Sequence, residues 1–243
     1  MANQLQDTIN YVIPFCRYQA ANVGVNNMPI IGIANIVRNI ILAAPFTWRF
    51  NRNSLNLTGP VVKGTEDYTQ TVPDFGFIEK ATANDGTRSF QIPDVKNNEA
   101  LGTSAQVNTP ATGRPQSIAV QNDDGAGNIT FRLSAVPDNS YTVNIVYQKA
   151  PVQFTATTDK WAPIPDSFSD VYNNLCLGYY MDSCQDPRAP QYIARGIAGL
   201  LARAQGLTHM DKMIFAASYM QFNASQMLEI LKTQQGQQAQ GTR

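Results

Sequence analysis

Residues 128–148 read Asn-Ile-Thr-Phe-Arg-Leu-Ser-Ala-Val-Pro-Asp-Asn-Ser-Tyr-Thr-Val-Asn-Ile-Val-Tyr-Gln. In the second half Tyr141, Val143, Ile145 and Tyr147 alternate with residues that are polar except for Val146, which is the two-residue period of a half-buried β-strand. The segment Val136-Pro-Asp-Asn-Ser is typical of a turn, because proline presets φ and Asp and Asn tolerate tight geometry. The stretch therefore predicts two paired strands, over 128–135 and 141–148.

Short alternating runs of the same kind extend from Trp48 to Pro151, separated by Gly, Pro, Asn, Asp and Thr. This texture is typical of antiparallel β-structure. A second hairpin-like turn is predicted at 123–127, Asp-Asp-Gly-Ala-Gly, and a loop over 97–116. The candidate strands are 66–72, 75–83, 87–92, 117–122, 128–135 and 140–148.

Apolar residues at helical spacing flank this β-rich segment on both sides. Gly196 and Gly199 give one of the later helices a thin side that another helix could approach closely. The predicted helices cover 3–13 and 29–43 and, after Pro165, three segments that begin at the capping box Ser167-x-x-Asp170, at Asp186-Pro187 and at Thr208-x-x-Asp211, the last running to about residue 232.

Charge divides the chain in the same way. The net charge is +4 over residues 1–63, −8 over 64–186 and +4 over 187–243, so the two ends resemble each other. We therefore predict an α+β protein with an insertion. Residues 1–45 and 163–232 form a helical bundle, 46–160 form an inserted antiparallel β-rich domain, and 233–243 form an extended C-terminal tail.

Charged residues make up only 15% of the chain, whereas an average soluble protein has about 25%. Uncharged amides replace them, with 21 Asn and 20 Gln. A freely soluble monomer normally keeps a charged surface. The composition therefore favours a chain that buries much of its surface in an assembly.

Residue types that carry catalysis or bind metals are sparse. The three cysteines form no Cys-x-x-Cys pair and His209 is the single histidine, so we expect no disulfide framework, no zinc site and no cofactor. His209 itself is interpreted as a capping or surface residue. A hydrolytic pair could be drawn from acids that lie in turn-rich segments, namely Glu66, Asp67, Glu79 and Asp94, but their setting does not favour an enzyme.

The N-terminus lacks a basic region followed by an apolar run, and the stretch Pro29–Pro45 is too short and too polar to cross a bilayer. We therefore expect an intracellular, soluble chain with no membrane partner. A sparse basic set near the start includes Arg38, Arg49 and Arg52, and such residues can hold phosphates without reading sequence.

The order of several segments resembles that of phage head-to-tail adaptor proteins, and most closely the adaptor, or tail tubular A-like, proteins of short-tailed phages. Phe46-Thr-Trp-Arg-Phe-Asn-Arg-Asn and the run that starts Gly64-Thr-Glu-Asp-Tyr are similar to the start of the β-insertion in that family. The resemblance spans about residues 30–205 and continues through Arg114-Pro115, Ile129 to Asp138, Tyr141 to Pro151 and Ile164-Pro-Asp-Ser-Phe.

The resemblance implies a non-enzymatic virion subunit, made in the host cytoplasm and located at the head–tail junction. Such subunits form a ring, typically of twelve, beneath the portal protein; the ring continues the DNA channel and docks the tail. The implied partners are copies of the chain, the portal, a distal tail or nozzle protein, a fibre or spike protein, and genomic DNA contacted non-specifically. Two alternatives remain: another tail structural protein (a tube or fibre-attachment module) or a virion-associated cell-wall hydrolase.

Two sets of residues follow as site candidates. Arg38, Arg49 and Arg52 are candidates for the DNA channel or a subunit interface. The C-terminal segment of the resembling adaptors reaches the portal, and we predict the same here; the alternative is that the tail packs on its own subunit. The candidate portal-docking residues are Gln234, Gln235, Gln237, Gln238, Gln240 and Arg243.

Overall fold

The computed structural model describes residues 3–15, 30–57, 61–94 and 112–220. The chain divides into two compact units, one from residues 1–41 and 152–243 and the other from residues 42–151. The helices lie mainly in the first unit and the second is mainly antiparallel sheet, so the α+β class is confirmed. The finer division into a bundle of 1–45 with 163–232 and an insertion of 46–160 stays a prediction.

The helical unit holds five α-helices in its described residues. The first is continued by a 3-10 turn, Ile13–Phe15, and another such turn, Asp166–Phe168, precedes the third. In chain order the helices are α1 (Leu5–Val12), α2 (Ile30–Leu42), α3 (Ser169–Ser183), α4 (Ala189–Arg203) and α5 (His209–Met220).

Helices α3 and α4 approach each other closely because small residues face the partner helix. A Cβ added to Gly196 would lie 2.5 Å from Leu175 Cγ, and one added to Gly199 would lie 2.9 Å from Val171 Cγ2. The thin side predicted at Gly196 and Gly199 is therefore confirmed, and α3 fills it. Gly178 of α3 plays the same part from the other helix, where its added Cβ would lie 2.8 Å from the backbone nitrogen of Ile193.

The three predicted helix starts have different outcomes. Thr208 and Asp211 form the expected capping box, because the Thr208 amide donates to Asp211 Oδ2 and the Asp211 amide donates to Thr208 Oγ1, each at 3.2 Å. The box at Ser167 is wrong, since the 3-10 turn delays α3 to Ser169. Asp186 accepts the Arg188 amide at 2.9 Å, but α4 begins only at Ala189.

The β-rich unit contains nine strands in its described residues. All six predicted strands are present, with bounds shifted by at most two residues. Three strands were not predicted: β1, whose sequence is mostly polar, and the two-residue strands β5 and β8, which lie where a loop and a turn were expected. The strands are β1 (Arg52–Asn56), β2 (Asp67–Thr71), β3 (Phe75–Asn84), β4 (Ser89–Ile92), β5 (Thr112–Gly113), β6 (Ser117–Asp123), β7 (Asn128–Ser134), β8 (Val136–Pro137) and β9 (Thr142–Lys149).

The strands form a four-stranded antiparallel sheet in the order β1-β9-β3-β4 and a three-stranded antiparallel sheet in the order β2-β7-β6. The predicted turn at 123–127 joins β6 to β7 as a hairpin, which is confirmed. The predicted pairing of 128–135 with 141–148 is wrong, because β7 and β9 belong to different sheets. Val136 and Pro137 pair in parallel with Thr112 and Gly113, so the segment between β7 and β9 crosses from sheet to sheet.

One apolar cluster joins the inner faces of the two sheets. The three-stranded sheet contributes Tyr68, Ile118, Ile129, Phe131 and Leu133, and the four-stranded sheet contributes Ile78, Ala81, Ala83, Val143, Ile145 and Tyr147. Because successive side chains of a strand alternate between faces, residues 144, 146 and 148 of β9 and their partners point to the opposite face of the four-stranded sheet.

Two glycine-to-alanine substitutions in helices test the α3–α4 packing. Gly32 of α2 has nothing within 4 Å of an added Cβ, so Gly32→Ala should stabilise the fold by up to about 1 kcal/mol through helix propensity. Gly178→Ala places its methyl group against backbone of α4, so it should destabilise the fold by about 1–3 kcal/mol despite the same gain in propensity. Urea unfolding of both variants measures the difference, and equal shifts would contradict the close approach.

Candidate functional site

A depression of about 430 Å³ lies on the outer face of the four-stranded sheet. We call it the basic depression; it is lined by Arg49, Arg52, Asn53, Ser54, Lys80 and Val146. Strand register explains why residues distant in sequence meet there. Ser54 of β1 and Lys80 of β3 both lie opposite Val146 of the intervening β9, so three strands supply one row of the lining.

Arg52 is held in place by a chain of hydrogen bonds. Its Nε donates to Glu79 Oε2 at 2.8 Å, and a second guanidinium nitrogen pairs with Glu79 Oε1. Gln148 Nε2 donates to Glu79 Oε2 at 2.7 Å, while Gln148 Oε1 accepts the Trp48 amide at 3.1 Å. Gln148 is completely buried, so both ends of its amide are satisfied inside the protein. The result is a fixed guanidinium at the surface whose charge is largely neutralised by one carboxylate.

Arg49 sits on a rigid segment. The ring of Trp48 stacks on those of Phe46 and Phe50, with centroids 5.6 Å apart and planes at 11° in both pairs. The 3-10 turn Arg49–Asn51 follows, and the buried Asn51 donates from Nδ2 to the Lys149 carbonyl at 2.9 Å. Stacked rings on one side and Asn51 on the other therefore fix the backbone that carries the exposed Arg49 side chain.

The basic depression has a local charge of about +2. Glu79 offsets Arg52, whereas Arg49 and Lys80 make no ion pair within the described part of the chain. The surrounding sequence is close to neutral, since residues 42–151 contain nine Lys/Arg and ten Asp/Glu. Arg49, Arg52 and Lys80 together give this hollow a positive potential that would attract an anionic group at short range.

The structure separates the three basic candidates. Arg49 and Arg52 lie together in the basic depression, but Arg38 does not reach a surface: it is only 3% exposed, donates to the carbonyls of Trp161 and Ala162, and lies 4.5 Å from the centroid of the Phe154 ring. Burial lowers the pKa of Arg38. The prediction that Arg38 lines the channel or a subunit interface is therefore wrong. Helix α2 places this side chain against residues 154–162, where it donates to two carbonyl groups.

Lys80 was missed by sequence reasoning. Nothing in its immediate sequence marks it, because its relevance depends on the register of β3 against β9. The candidate portal-docking residues Gln234, Gln235, Gln237, Gln238, Gln240 and Arg243 lie outside the described residues.

Three of the four acids considered for hydrolysis, Glu66, Asp67 and Glu79, are engaged in ion pairs. Asp67 receives two hydrogen bonds of 2.7 Å from Arg132, whose guanidinium also lies 3.8 Å from Glu66. Glu79 is occupied by Arg52 and Gln148. The Arg132–Asp67 pair links the antiparallel strands β7 and β2, and the Arg52–Glu79 pair links β1 to β3 across the intervening β9.

Two searches of the described ranges gave no positive result. They contain no group of three or more His, Cys, Asp or Glu side chains placed to hold a metal ion. None of their helices combines the length and apolar character needed to cross a membrane.

The family model described as SU10 adaptor protein matches residues 46–242, so the chain belongs to that family. A search of curated proteins finds no match. The chain is thus a phage adaptor, and its family supports a structural role as a virion component. The finer likeness to short-tailed phages stays a prediction.

Replacing Gln148 tests the hydrogen-bond chain beneath Arg52. Gln148→Met keeps a similar volume but leaves the Trp48 amide without its acceptor, so it should cost about 1–3 kcal/mol of unfolding free energy. Gln153→Met is the matched control, because Gln153 is exposed and its amide bonds only Asn39 at the surface. Urea unfolding measures both, and a Gln148 variant as stable as the control would contradict the structural role of the buried amide.

Proposed function

We propose that the chain is the subunit of a ring beneath the portal, where it continues the DNA channel and provides the surface on which the tail docks. The observation that carries this proposal is the family match over residues 46–242, which includes every described strand of the β-rich unit and the helices that follow it. The low charge of the chain supports it, because extensive polar contacts between subunits can replace a charged, solvated surface.

The partners proposed for this role are the portal protein, a distal tail or nozzle protein, a fibre or spike protein, and the genome, touched non-specifically in the channel. Twelve copies form the ring, as in the resembling adaptors of short-tailed phages. Free chains need not assemble, because association of polar surfaces must overcome the loss of translational and rotational freedom. Seating on the portal supplies the template.

The C-terminal tail is the proposed link to the portal. Residues 233–243 read Thr-Gln-Gln-Gly-Gln-Gln-Ala-Gln-Gly-Thr-Arg, which offers hydrogen-bonding groups and almost no apolar surface for folding alone. An extended segment of this kind can lie in a groove or add to a sheet edge on a neighbouring protein. Packing on its own subunit is the competing arrangement.

Imaging of the virion tests the ring. We expect a closed ring of twelve copies of this chain between the portal and the distal tail, identified by antibody labelling or by density that fits the two units. A single copy per particle, or a threefold spike, would contradict the proposal.

Deletion of residues 233–243 tests the tail. The truncated chain should keep its circular dichroism spectrum and thermal midpoint, because the segment has too little apolar surface to contribute to a core. It should fail to assemble on portal-bearing capsids. A control in which the same eleven residues are replaced by a Gly/Ser segment of equal length separates sequence from length. Normal docking and DNA retention by the truncated chain would show that the tail is not the link.

A further inference from the structure

We propose that the basic depression receives the turn formed by Asp123 and Asp124 of a second copy of this chain. The contact would join neighbouring subunits head to tail through complementary charge. The pairing of the two surfaces is argued from their charges alone, and only its role in building a ring rests on the proposed function.

The acidic turn is rigid and exposed. Asp123 Oδ1 accepts the Gly125 amide at 2.9 Å, and Asp124 Oδ1 accepts the amides of Ala126 and Asn128 at 2.8 and 2.9 Å. Gly125 and Gly127 have φ of +70° and +94°, values that favour glycine, so the sequence is built for this turn. Two adjacent carboxylates are therefore presented in a fixed geometry at the end of the β6–β7 hairpin, with acceptor capacity to spare.

These two aspartates differ from three other acids of the sheets in having no cationic partner within the described residues, a property that they share with Asp85. Asp67, Asp74 and Glu79 each have a cationic partner in their own unit, Arg132, Lys149 and Arg52 respectively. Asp123 and Asp124, by contrast, are bound only by backbone amides and the Asn128 side chain within the described residues. The turn thus carries about two uncompensated negative charges, which match the two positive charges left by Arg49 and Lys80.

The basic depression is better suited to a carboxylate turn than to DNA. Duplex binding grows with the number of phosphates that a protein neutralises, which calls for an extended basic surface. Here the cations occupy one hollow in a unit of nearly zero net charge. The Ser54 amide of β1 already donates to Asn53 Oδ1 at 2.9 Å, so this lining residue offers a partner its side chain and not its amide.

The contact must be between copies. The basic depression lies on the outer face of the four-stranded sheet, whereas the acidic turn ends two strands of the other sheet. Two different surfaces of one chain that complement each other give a heterologous contact, and repetition of such a contact generates a ring when its rotation closes.

Charge reversal tests the pairing. Lys80→Glu and Asp123→Lys should each lower the yield of rings on portal-bearing capsids by about ten-fold or more, since like charges then face each other. The double variant restores opposite charges and should recover most of the yield. Two controls change exposed charges of the same unit elsewhere: Lys63→Glu, and Asp85→Lys in another turn where the aspartate accepts backbone amides. Both controls should assemble normally.

Cross-linking in solution tests the contact without the portal. In a background of Cys16→Ser and Cys184→Ser, one population carries Ser54→Cys in the depression and another carries Ala126→Cys in the turn. A short thiol cross-linker should join the two populations, and less so at high salt or with Lys80→Glu. A population carrying Thr87→Cys, from the turn of Asp85, replaces the Ala126→Cys population as the matched control and should not cross-link.

The outcomes separate this inference from the proposed function. Cross-linking in solution that is lost in Lys80→Glu, together with virions that lack a ring beneath the portal, would support the contact and overturn the proposed function. Normal rings in both single variants, or a double variant no better than either, would overturn the contact and leave the proposed function standing. Binding of a short DNA duplex that is lost in Lys80→Glu and unchanged in Asp123→Lys would assign the depression to phosphates and overturn the contact.

Discussion

The two faces of strand β9 govern the β-rich unit. The strand pairs with β1 on one side and β3 on the other, so it forms the middle of the four-stranded sheet. Its inward residues Val143, Ile145 and Tyr147 join the apolar cluster shared with the second sheet. Its outward residues Val146 and Gln148 form and support the basic depression. A shift of one residue in register would exchange these faces, so the core and the site are fixed by the same pairing.

Buried polar groups are handled differently in the two units. In the β-rich unit the amide of Gln148 links the Trp48 backbone to Glu79. The Glu79 carboxylate in turn accepts a hydrogen bond from Arg52 and fixes its guanidinium at the surface. In the helical unit Arg38 points inward and binds the carbonyls of Trp161 and Ala162. A buried guanidinium is tolerated only when such acceptors surround it. One arginine therefore organises a surface, whereas the other stabilises an interior turn.

The sequence alone predicted elements well and their partners poorly. Alternation in Tyr141–Tyr147 and helical spacing in α3 are local signals, and both elements appear within a few residues of the predicted bounds. Pairing is decided by the core instead: β7 and β9 each bury one face, and placing them in separate sheets lets those faces meet. The basic depression was found in part, because Arg49 and Arg52 are neighbours in sequence while Lys80 depends on register. The role of Arg38 was predicted wrongly because an arginine on an apolar helix can be either exposed or buried against carbonyl groups, and its sequence context does not distinguish the two.

The distribution of charge links this architecture to assembly. The chain has no net charge, although its acidic and basic residues are unevenly distributed, so the recognition of one copy by another depends on local charged groups. Several charges of the described β-rich unit are engaged in internal ion pairs, such as Arg132 with Asp67 and Lys149 with Asp74. Arg49, Lys80 and the aspartates of the β6–β7 turn make no such pair within the described residues, and they are carried by hydrogen-bonded backbone. Because fixed charges lose little freedom on pairing, a small contact of this kind can set the orientation of a neighbour even when it contributes modestly to affinity.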